Sequence, residues 1–332
     1  TLELLNENKV HPSEINMIIH GTTLATNAII ERKGAHSCFI TTSGFRDVLD
    51  IGYESRFDQY DLLIEKTLSL IPRKHRFVVE ERTDVNGKIL KPLNVKNLEE
   101  LFAKIKKENF ESIGIGFLHS YANGSNEKLL KEILTKEFPD IKISISSEVC
   151  PEIREYERFT TTVINSYIKP LMSTYIENLR KSLIEEGFKA SLLLMTSGGT
   201  LTNVDSACEF PVRLVESGPA GGAILATVIA EELDLNKVIS FDMGGTTAKI
   251  TIIEDKKAIK AREFEVDRKS RFKKGSGFPV RIPVIEMVEI GAGGGSIARV
   301  NKIDQITTGP DSAGSSPGPA CYGNGGENAT IT

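Results

Sequence analysis

An aspartate followed by two glycines and two threonines is the stretch of this chain best suited to chemistry. Two runs of β-forming residues, 238–241 and 248–253, flank Asp242-Met243-Gly244-Gly245-Thr246-Thr247. The glycine pair favours a tight turn with positive φ between two strands. Such a turn directs several N–H groups and two hydroxyls at one point, which suits a phosphate. The neighbouring carboxylate can hold Mg²⁺, directly or through water.

A plain hairpin with a polar tip is the competing interpretation, and for Gly-Gly between strands alone it is the better one. Asp242 before the turn and the threonine pair after it favour a nucleotide site instead. We therefore assign Asp242 as the candidate catalytic and metal-binding residue. The candidate phosphate-binding residues are Gly244, Gly245, Thr246 and Thr247.

A second glycine-rich stretch follows at Gly291-Ala292-Gly293-Gly294-Gly295-Ser296. Its backbone either packs against a nucleotide or substrate or forms a flexible loop. We assign Gly293, Gly294, Gly295 and Ser296 to the cofactor site. Neither the Walker pattern G-x-x-x-x-G-K-[ST] nor, at this stretch, the dinucleotide pattern G-x-G-x-x-G is present.

The remaining chemically active side chains give weaker signals. His20 lies with Thr22 and Thr23 between a predicted strand and helix, and these three residues are candidate substrate contacts, although a structural histidine fits equally well. No metal-ligand spacing relates His20, His36, His75 and His119. Four scattered cysteines without a CxxC pair indicate a reducing compartment, and Cys321 has no identifiable acid–base partner.

Bulk composition restricts the class of protein. The 332 residues are 40% apolar and 26% charged, with a formal net charge of −4. These values are ordinary for a globular protein and argue against a nucleic-acid surface. No apolar run reaches the roughly 18 residues of a membrane span, and the N-terminus has no signal-peptide pattern. The sequence therefore predicts a cytoplasmic protein without membrane contact.

The order of predicted elements indicates an α/β protein. Strands and helices alternate through residues 1–150, which favours a partly parallel sheet. A long helical pattern begins after Pro151, and Pro170 is expected to end or kink that helix near Lys169. We predict an N-terminal α/β lobe over 1–150 and a second lobe over 151–332 that contains the Asp242 hairpin in a mixed sheet. Asn86-Gly87 is compatible with a type I′ turn.

Seven strings, in this order, resemble the hydantoinase A / 5-oxoprolinase family of ATP-dependent amidohydrolases. They are HGTTLATNA (20–28), TTSGFRDVL (41–49), PEIREYER (151–158), SGPAG (217–221), DMGGTT (242–247), EIGAGGGSIA (289–298) and GPACYG (318–323). Each is weak alone, but their combination covers most of the chain.

The resemblance implies a two-lobed, actin-like (ribonuclease H-like) ATPase fold, here incomplete at both ends. It also implies ATP and Mg²⁺ as cofactors, a cyclic amide such as a hydantoin or 5-oxoproline as substrate, and a hydantoinase B-like partner. Gly218, within the SGPAG string, joins the expected nucleotide contacts. The chain is expected to be a fragment that lacks an upstream phosphate hairpin and has little ATPase activity alone. Whether it forms a homo-oligomer stays open.

Lys249 departs from the family pattern. Members of the family commonly carry a second acidic residue at this position, whereas a charged lysine cannot bind a metal but can meet a phosphate. The substrate therefore stays open. The alternatives are the ATP-using subunit of a ketone carboxylase and a non-catalytic actin-like nucleotide-binding module.

Overall fold

The computed structural model describes residues 2–54, 56–270 and 273–332. The chain divides into two compact units. Unit 1 comprises Thr1–Gly218 with Arg262–Val284, and unit 2 comprises Pro219–Ala261 with Ile285–Thr332. The boundary near residue 150 that the sequence predicts stays a prediction. None of the helices among the described residues is long and apolar enough to cross a membrane.

The first half of unit 1 alternates strands and helices, as its sequence predicts. The elements are α1 (Leu2–Glu7), β1 (Met17–His20), α2 (Leu24–Ile30), β2 (Ser37–Thr42), α3 (Val48–Ile51), β3 (Arg76–Val79), β4 (Arg82–Thr83), β5 (Ile89–Lys91), α4 (Leu98–Glu108), β6 (Ser112–Gly116), α5 (Ser125–Glu137), β7 (Lys142–Ile145) and α6 (Ser146–Val149). Strands β3, β2, β6 and β7 form a parallel sheet in that order. Its apolar side chains pack with those of α4 and α5, including Ile113, Ile115, Leu101 and Leu130.

A 31-residue helix, α7 (Glu155–Glu185), continues unit 1. It is followed by β8 (Ser191–Met195), β9 (Leu201–Asn203), α8 (Val204–Glu209) and α9 (Ser217–Glu232). Of the two outcomes expected at Pro170, an end or a kink, the end is wrong, because α7 runs through it, and the kink stays a prediction. Buried Ile168 and Met172 flank this proline, and the core around them offsets the roughly 3 kcal/mol that an interior proline costs.

A buried polar network lies where the parallel strands β2 and β6 end. Arg158, fully buried on α7, donates to Phe117 O at 3.0 Å and to Glu152 O at 2.8 Å. The Glu127 carboxylate accepts from Phe117 N at 2.7 Å and from Ser147 N at 2.8 Å. The PEIREYER string therefore holds a structural arginine that ties α7 to the sheet.

Strands predominate in the remaining sequence. They are β10 (Lys237–Met243), β11 (Ala248–Glu254), β12 (Lys257–Ala258), β13 (Lys260–Ala261), β14 (Phe264–Val266), β15 (Phe278–Val280), β16 (Val284–Ile285), β17 (Val288–Ile290), β18 (Ser296–Val300) and β19 (Ile306–Ser312). In unit 2, β10 and β17 lie on either side of β11, and each of them is antiparallel to β11. The sheet around Asp242 is therefore antiparallel rather than mixed.

Candidate functional site

The predicted hairpin around Asp242 is confirmed. Strands β10 and β11 pair from Lys237–Glu254 to Met243–Ala248, which leaves a loop of the four residues 244–247. The Gly244 N–H donates to Thr247 O at 2.9 Å and closes this loop. Positive φ, however, is absent at Gly244 and Gly245, in contrast to many other glycines in the described part of the chain. The sequence-based reason for the glycine pair is therefore wrong.

The glycine-rich stretch after β17 packs against this turn. Gly294 N–H donates to Gly244 O at 2.9 Å, and Gly295 N–H donates to Gly245 O at 2.7 Å. A Cβ on Gly293 would lie 2.5 Å from Thr246 N and 2.6 Å from Gly244 O. The two glycine segments thus pack backbone to backbone, at a separation that only glycine permits at residue 293.

Ser296 fixes the same loop from its other end. Its buried hydroxyl accepts from Gly293 N–H at 2.9 Å, and its own N–H donates to Gly293 O at 2.9 Å. The loop is therefore ordered by its own hydrogen bonds, which excludes the interpretation of a flexible glycine linker. The predicted contact of residues 293–296 with a nucleotide stays a prediction.

The hairpin turn presents backbone donors on the side opposite the glycine loop. In a trans peptide the C=O and the N–H point in opposite directions. Because the carbonyls of Gly244 and Gly245 accept from the loop, the N–H groups of Gly245 and Thr246 point away from it. Within residues 2–54, 56–270 and 273–332, neither N–H has an acceptor, and Gly244–Thr246 are exposed. An oxyanion fits this pair of donors.

Charged side chains form a row across three strands beside this turn. Asp242 on β10 pairs with Lys249 on β11, and Lys249 pairs with Glu289 on β17. Direct cross-strand partners project from the same face of a sheet, so the three side chains lie side by side, with Lys249 in the middle of the row. Asp242 and Glu289 are both exposed. The row can meet a phosphate through Lys249 and a metal ion through Asp242.

The surroundings of Asp242 fit Mg²⁺ better than a metal held by protein ligands alone. Among the described residues, the one cluster of three His, Cys, Asp or Glu side chains with ligand atoms close together lies elsewhere, in unit 1. Mg²⁺ is commonly bound by one or two carboxylates, several waters and substrate phosphates. A single exposed aspartate beside two outward-pointing N–H groups suits that coordination.

The other predicted site residues lie in unit 1, at the end of β1. Ser217, fully buried, accepts from Thr22 N–H at 3.1 Å and donates to Thr22 O at 2.9 Å. A Cβ on Gly218 would contact Thr23 Cγ2 at 3.4 Å. The structure therefore brings Thr22, Thr23 and Gly218 together, and Ser217 is a member of this group that the sequence analysis did not single out.

His20 lies at the same strand end. One ring nitrogen, Nε2, is 2.8 Å from Tyr175 OH on α7. Burial lowers the pKa of His20 below its ordinary value, so the neutral ring predominates at neutral pH. This hydrogen bond is what a structural histidine requires, and a role in substrate contact stays a prediction.

Three residues that the sequence analysis did not connect also come together in unit 1. They are His36, His75 and Glu108. Their positions are far apart in the chain, so no spacing rule for metal ligands detects them. The parallel sheet brings them to one edge, and only the fold reveals the group.

Comparison with known proteins supports the resemblance. The sequence matches the family described as hydantoinase/oxoprolinase over residues 158–332, and its N-terminal region over residues 1–138. An uncharacterised protein of Methanocaldococcus jannaschii is 44% identical over 98% of this chain and 48% of its own length. Caprolactamase subunit alpha of Pseudomonas jessenii is 32% identical over 97% of this chain and 46% of its own length. The chain spans about half the length of these curated relatives.

Two solved structures share the fold. The ATP-dependent caprolactamase of Pseudomonas jessenii has a TM-score of 0.82 and 30% identity, over 100% of this chain and 48% of the other. A nucleotide-free structure of acetone carboxylase, from work on ATP-dependent acetone carboxylation, has a TM-score of 0.80 and 25% identity, over 99% and 47%. The predicted α/β, actin-like ATPase fold class is confirmed.

Proposed function

Because the chain belongs to the hydantoinase/oxoprolinase family, we propose that it forms the ATP-binding part of an enzyme that opens a cyclic amide such as a hydantoin or 5-oxoproline. The observation that carries this proposal is the turn at Gly244–Thr247. There, two outward N–H groups lie beside an exposed carboxylate and a lysine. That combination suits the charge and shape of a polyphosphate.

The chemistry explains why a cyclic amide would need ATP. An amide carbon is a poor electrophile, and ring opening can be thermodynamically unfavourable. Transfer of the γ-phosphoryl group to the amide oxygen forms an O–P bond and releases ADP. Water then adds to the activated carbon, and the ring C–N bond breaks as the nitrogen takes up a proton, which leaves an acyl phosphate. A second water hydrolyses this acyl phosphate to the carboxylate and free phosphate. Such a transfer depends on positioning and charge stabilisation rather than on a covalent nucleophile of the protein.

Each side chain of the turn has a proposed role. The N–H groups of Gly245 and Thr246 bind phosphate oxygens, and the hydroxyls of Thr246 and Thr247 add further donors. Lys249 neutralises phosphate charge in a position where the family commonly has an acid. Asp242 would hold Mg²⁺ through water, and the ion, when bound, would draw negative charge from the phosphate oxygens.

We propose that His20, Thr22 and Thr23 contact the substrate and that Gly218 contacts the nucleotide. Thr23 is exposed at the end of β1, and its hydroxyl is suitable for a polar lactam ring. We also propose a cytoplasmic location and a hydantoinase B-like partner subunit. The name of the related caprolactamase subunit alpha supports a partner, because it denotes one subunit of an assembly.

A ketone carboxylase subunit is the second candidate, and the structural likeness to acetone carboxylase favours it. In that reaction the phosphorylated species would be an enol rather than an amide. ADP release that depends on a lactam supports the first proposal, whereas release that depends on a ketone with bicarbonate supports the second. ATP binding without substrate-stimulated turnover in the full-length protein would leave a non-catalytic nucleotide-binding module.

Substitution of Asp242 by asparagine in the full-length protein tests the site. Asparagine keeps the shape but removes the charge that Mg²⁺ requires. Loss of one preorganised electrostatic group costs about 2–4 kcal/mol, so ATP turnover is expected to fall by about 10²–10³-fold. The matched control is Asp255→Asn, at the far end of the same hairpin and also exposed.

Both variants are expected to melt within a degree or two of the parent, because neither carboxylate belongs to a core. Near-normal turnover of the Asp242 variant would contradict its role at the phosphate site. So would an equal loss of turnover in the Asp255 control.

A further inference from the structure

The parallel sheet of unit 1 places three metal-binding side chains at the edge where its strands begin. His36 immediately precedes β2, and His75 immediately precedes β3, which is the parallel neighbour of β2. Glu108 is the last residue of α4, four residues before β6, the other neighbour of β2. Parallel strands start at the same edge, so the topology alone brings these residues together.

Distances within the group approach those of a coordination sphere. One ligand atom from each residue lies within 4.8 Å of the other two. The His75 Nε2 and Glu108 Oε2 atoms are 3.5 Å apart. Two ligands at about 2.0–2.1 Å from a tetrahedral Zn²⁺ are separated by roughly 3.4 Å. The His75–Glu108 edge therefore has this length already, and small side-chain rotations would complete the triangle.

His75 supplies an independent observation. Its side chain is only 9% exposed, and its Nε2 atom is buried without a hydrogen-bond partner among the described residues. A buried nitrogen without a partner carries a desolvation cost, and native proteins rarely leave one. The Glu108 carboxylate lies 3.5 Å from this atom, at ion-pair distance but without the geometry of a hydrogen bond.

The two imidazole rings are held in place by their surroundings. Phe110 packs against both, with ring centroids 4.7 Å from His36 and 5.1 Å from His75. The backbone of His36 is fixed on both sides, since its N–H donates to Glu111 Oε2 at 2.7 Å and its carbonyl accepts from Glu111 N–H at 2.8 Å. A site of this kind loses little side-chain freedom when a metal binds.

We propose that His36, His75 and Glu108 form a binding site for a divalent transition metal of the Zn²⁺ class. Two imidazoles and one carboxylate are a donor set for zinc, cobalt or nickel rather than for magnesium. His36 and Glu108 are exposed, so water can take the fourth position. The site lies within unit 1 and does not depend on the function proposed above. A bound ion would link α4 to the starts of two strands.

A Co²⁺ titration of the intact, tag-free protein tests this proposal, because tetrahedral Co²⁺ absorbs visible light. The ligand variants are His36→Gln and Glu108→Gln, both at exposed positions where the fold should tolerate the change. The control is His11→Gln, an exposed histidine outside the cluster. His75 is left intact, since its burial makes any substitution ambiguous.

The parent and the His11 variant are expected to bind one more equivalent of Co²⁺ than either ligand variant, displaceable by Zn²⁺. Zn²⁺ should also raise the melting temperature of the parent but not that of the ligand variants. The affinity of each ligand variant for Co²⁺ should fall by at least about 10-fold. Even the substitution of a residue that only hydrogen-bonds to a metal ligand typically lowers metal affinity by that factor. Identical titrations of the parent and both ligand variants would overturn the site, as would a loss that His11→Gln reproduces.

Discussion

Replacement of Gly293 by alanine is the most direct test of the packing between the glycine loop at 291–296 and the hairpin turn at 244–247. The added Cβ would lie 2.5 Å from Thr246 N and 2.6 Å from both Gly244 O and Gly245 C. All three are backbone atoms, so no flexible side chain can move aside. The glycine loop must withdraw from the turn, and the hydrogen bonds from Gly294 and Gly295 must lengthen or break.

The expected loss of local stability follows from the two hydrogen bonds that the Gly294 and Gly295 amides donate. Each contributes about 0.5–1.5 kcal/mol net, so their loss destabilises the local structure by about 1–3 kcal/mol. Hydrogen exchange measures this directly at the Gly294 and Gly295 amides. At 1.4 kcal/mol for each tenfold change, their protection should fall by about 5- to 150-fold. If the turn binds phosphate, ATP affinity should fall as well, because the directions of the Gly245 and Thr246 donors are no longer fixed.

Gly245→Ala is the matched control for stability. A Cβ at that position meets nothing within 4 Å, and its φ is not positive, so alanine fits. Protection at Gly294 and Gly295 should stay within about twofold of the parent, as expected for substitutions away from packed features. Unchanged protection in Gly293→Ala, or equal losses in both variants, would refute the backbone packing between the glycine loop and the turn.

Two further predictions concern unit 1. Arg158→Met should lower the free energy of unfolding by about 3–6 kcal/mol, since it removes two charge-assisted hydrogen bonds, to the buried Phe117 O and to Glu152 O, at about 1.5–3 kcal/mol each. Arg180→Met, at an exposed pair with Glu177, should change it by less than about 0.5 kcal/mol in urea denaturation. His20→Asn should make the free energy of unfolding depend less on pH in the acidic range. The pKa of His20 is lowered in the fold, so the unfolded chain binds the proton more readily than the folded chain. The stability of the parent therefore falls as the pH drops below the ordinary pKa value of 6.5. Melting temperatures from pH 7 to pH 5 should therefore decline less steeply for His20→Asn than for the parent, and parallel declines would contradict the assignment.

Local patterns in the sequence predict the hairpin and the sheet of unit 1 well. Strand and helix periodicity depends on neighbouring residues, so β10, β11 and the alternation through β7 can be read directly. Contacts between segments that are distant in the sequence cannot be predicted from these local patterns. The carbonyls of Gly244 and Gly245 accept from a loop nearly fifty positions later, and the local pattern from which positive φ is expected does not contain this contact.

Three other features depart from what local patterns predict. Core packing on both sides of Pro170 keeps α7 continuous, although proline alone predicts a break. At Asn86-Gly87, only Gly87 has positive φ, so the type I′ turn, which requires it at both positions, is not formed. The histidine pair with Glu108 depends on strand order, which a spacing rule does not contain.

The pairing of the glycine loop with the hairpin turn has a thermodynamic consequence. A free loop rich in glycine loses much conformational entropy when a ligand orders it. In this protein the carbonyls of Gly244 and Gly245 are already bonded, so that entropy is lost when unit 2 folds. If the turn binds an anion as proposed, the anion meets donors with fixed directions, and little further order is required on binding. Such a rigid turn binds best the anion whose oxygen spacing matches it, and it adapts poorly to others.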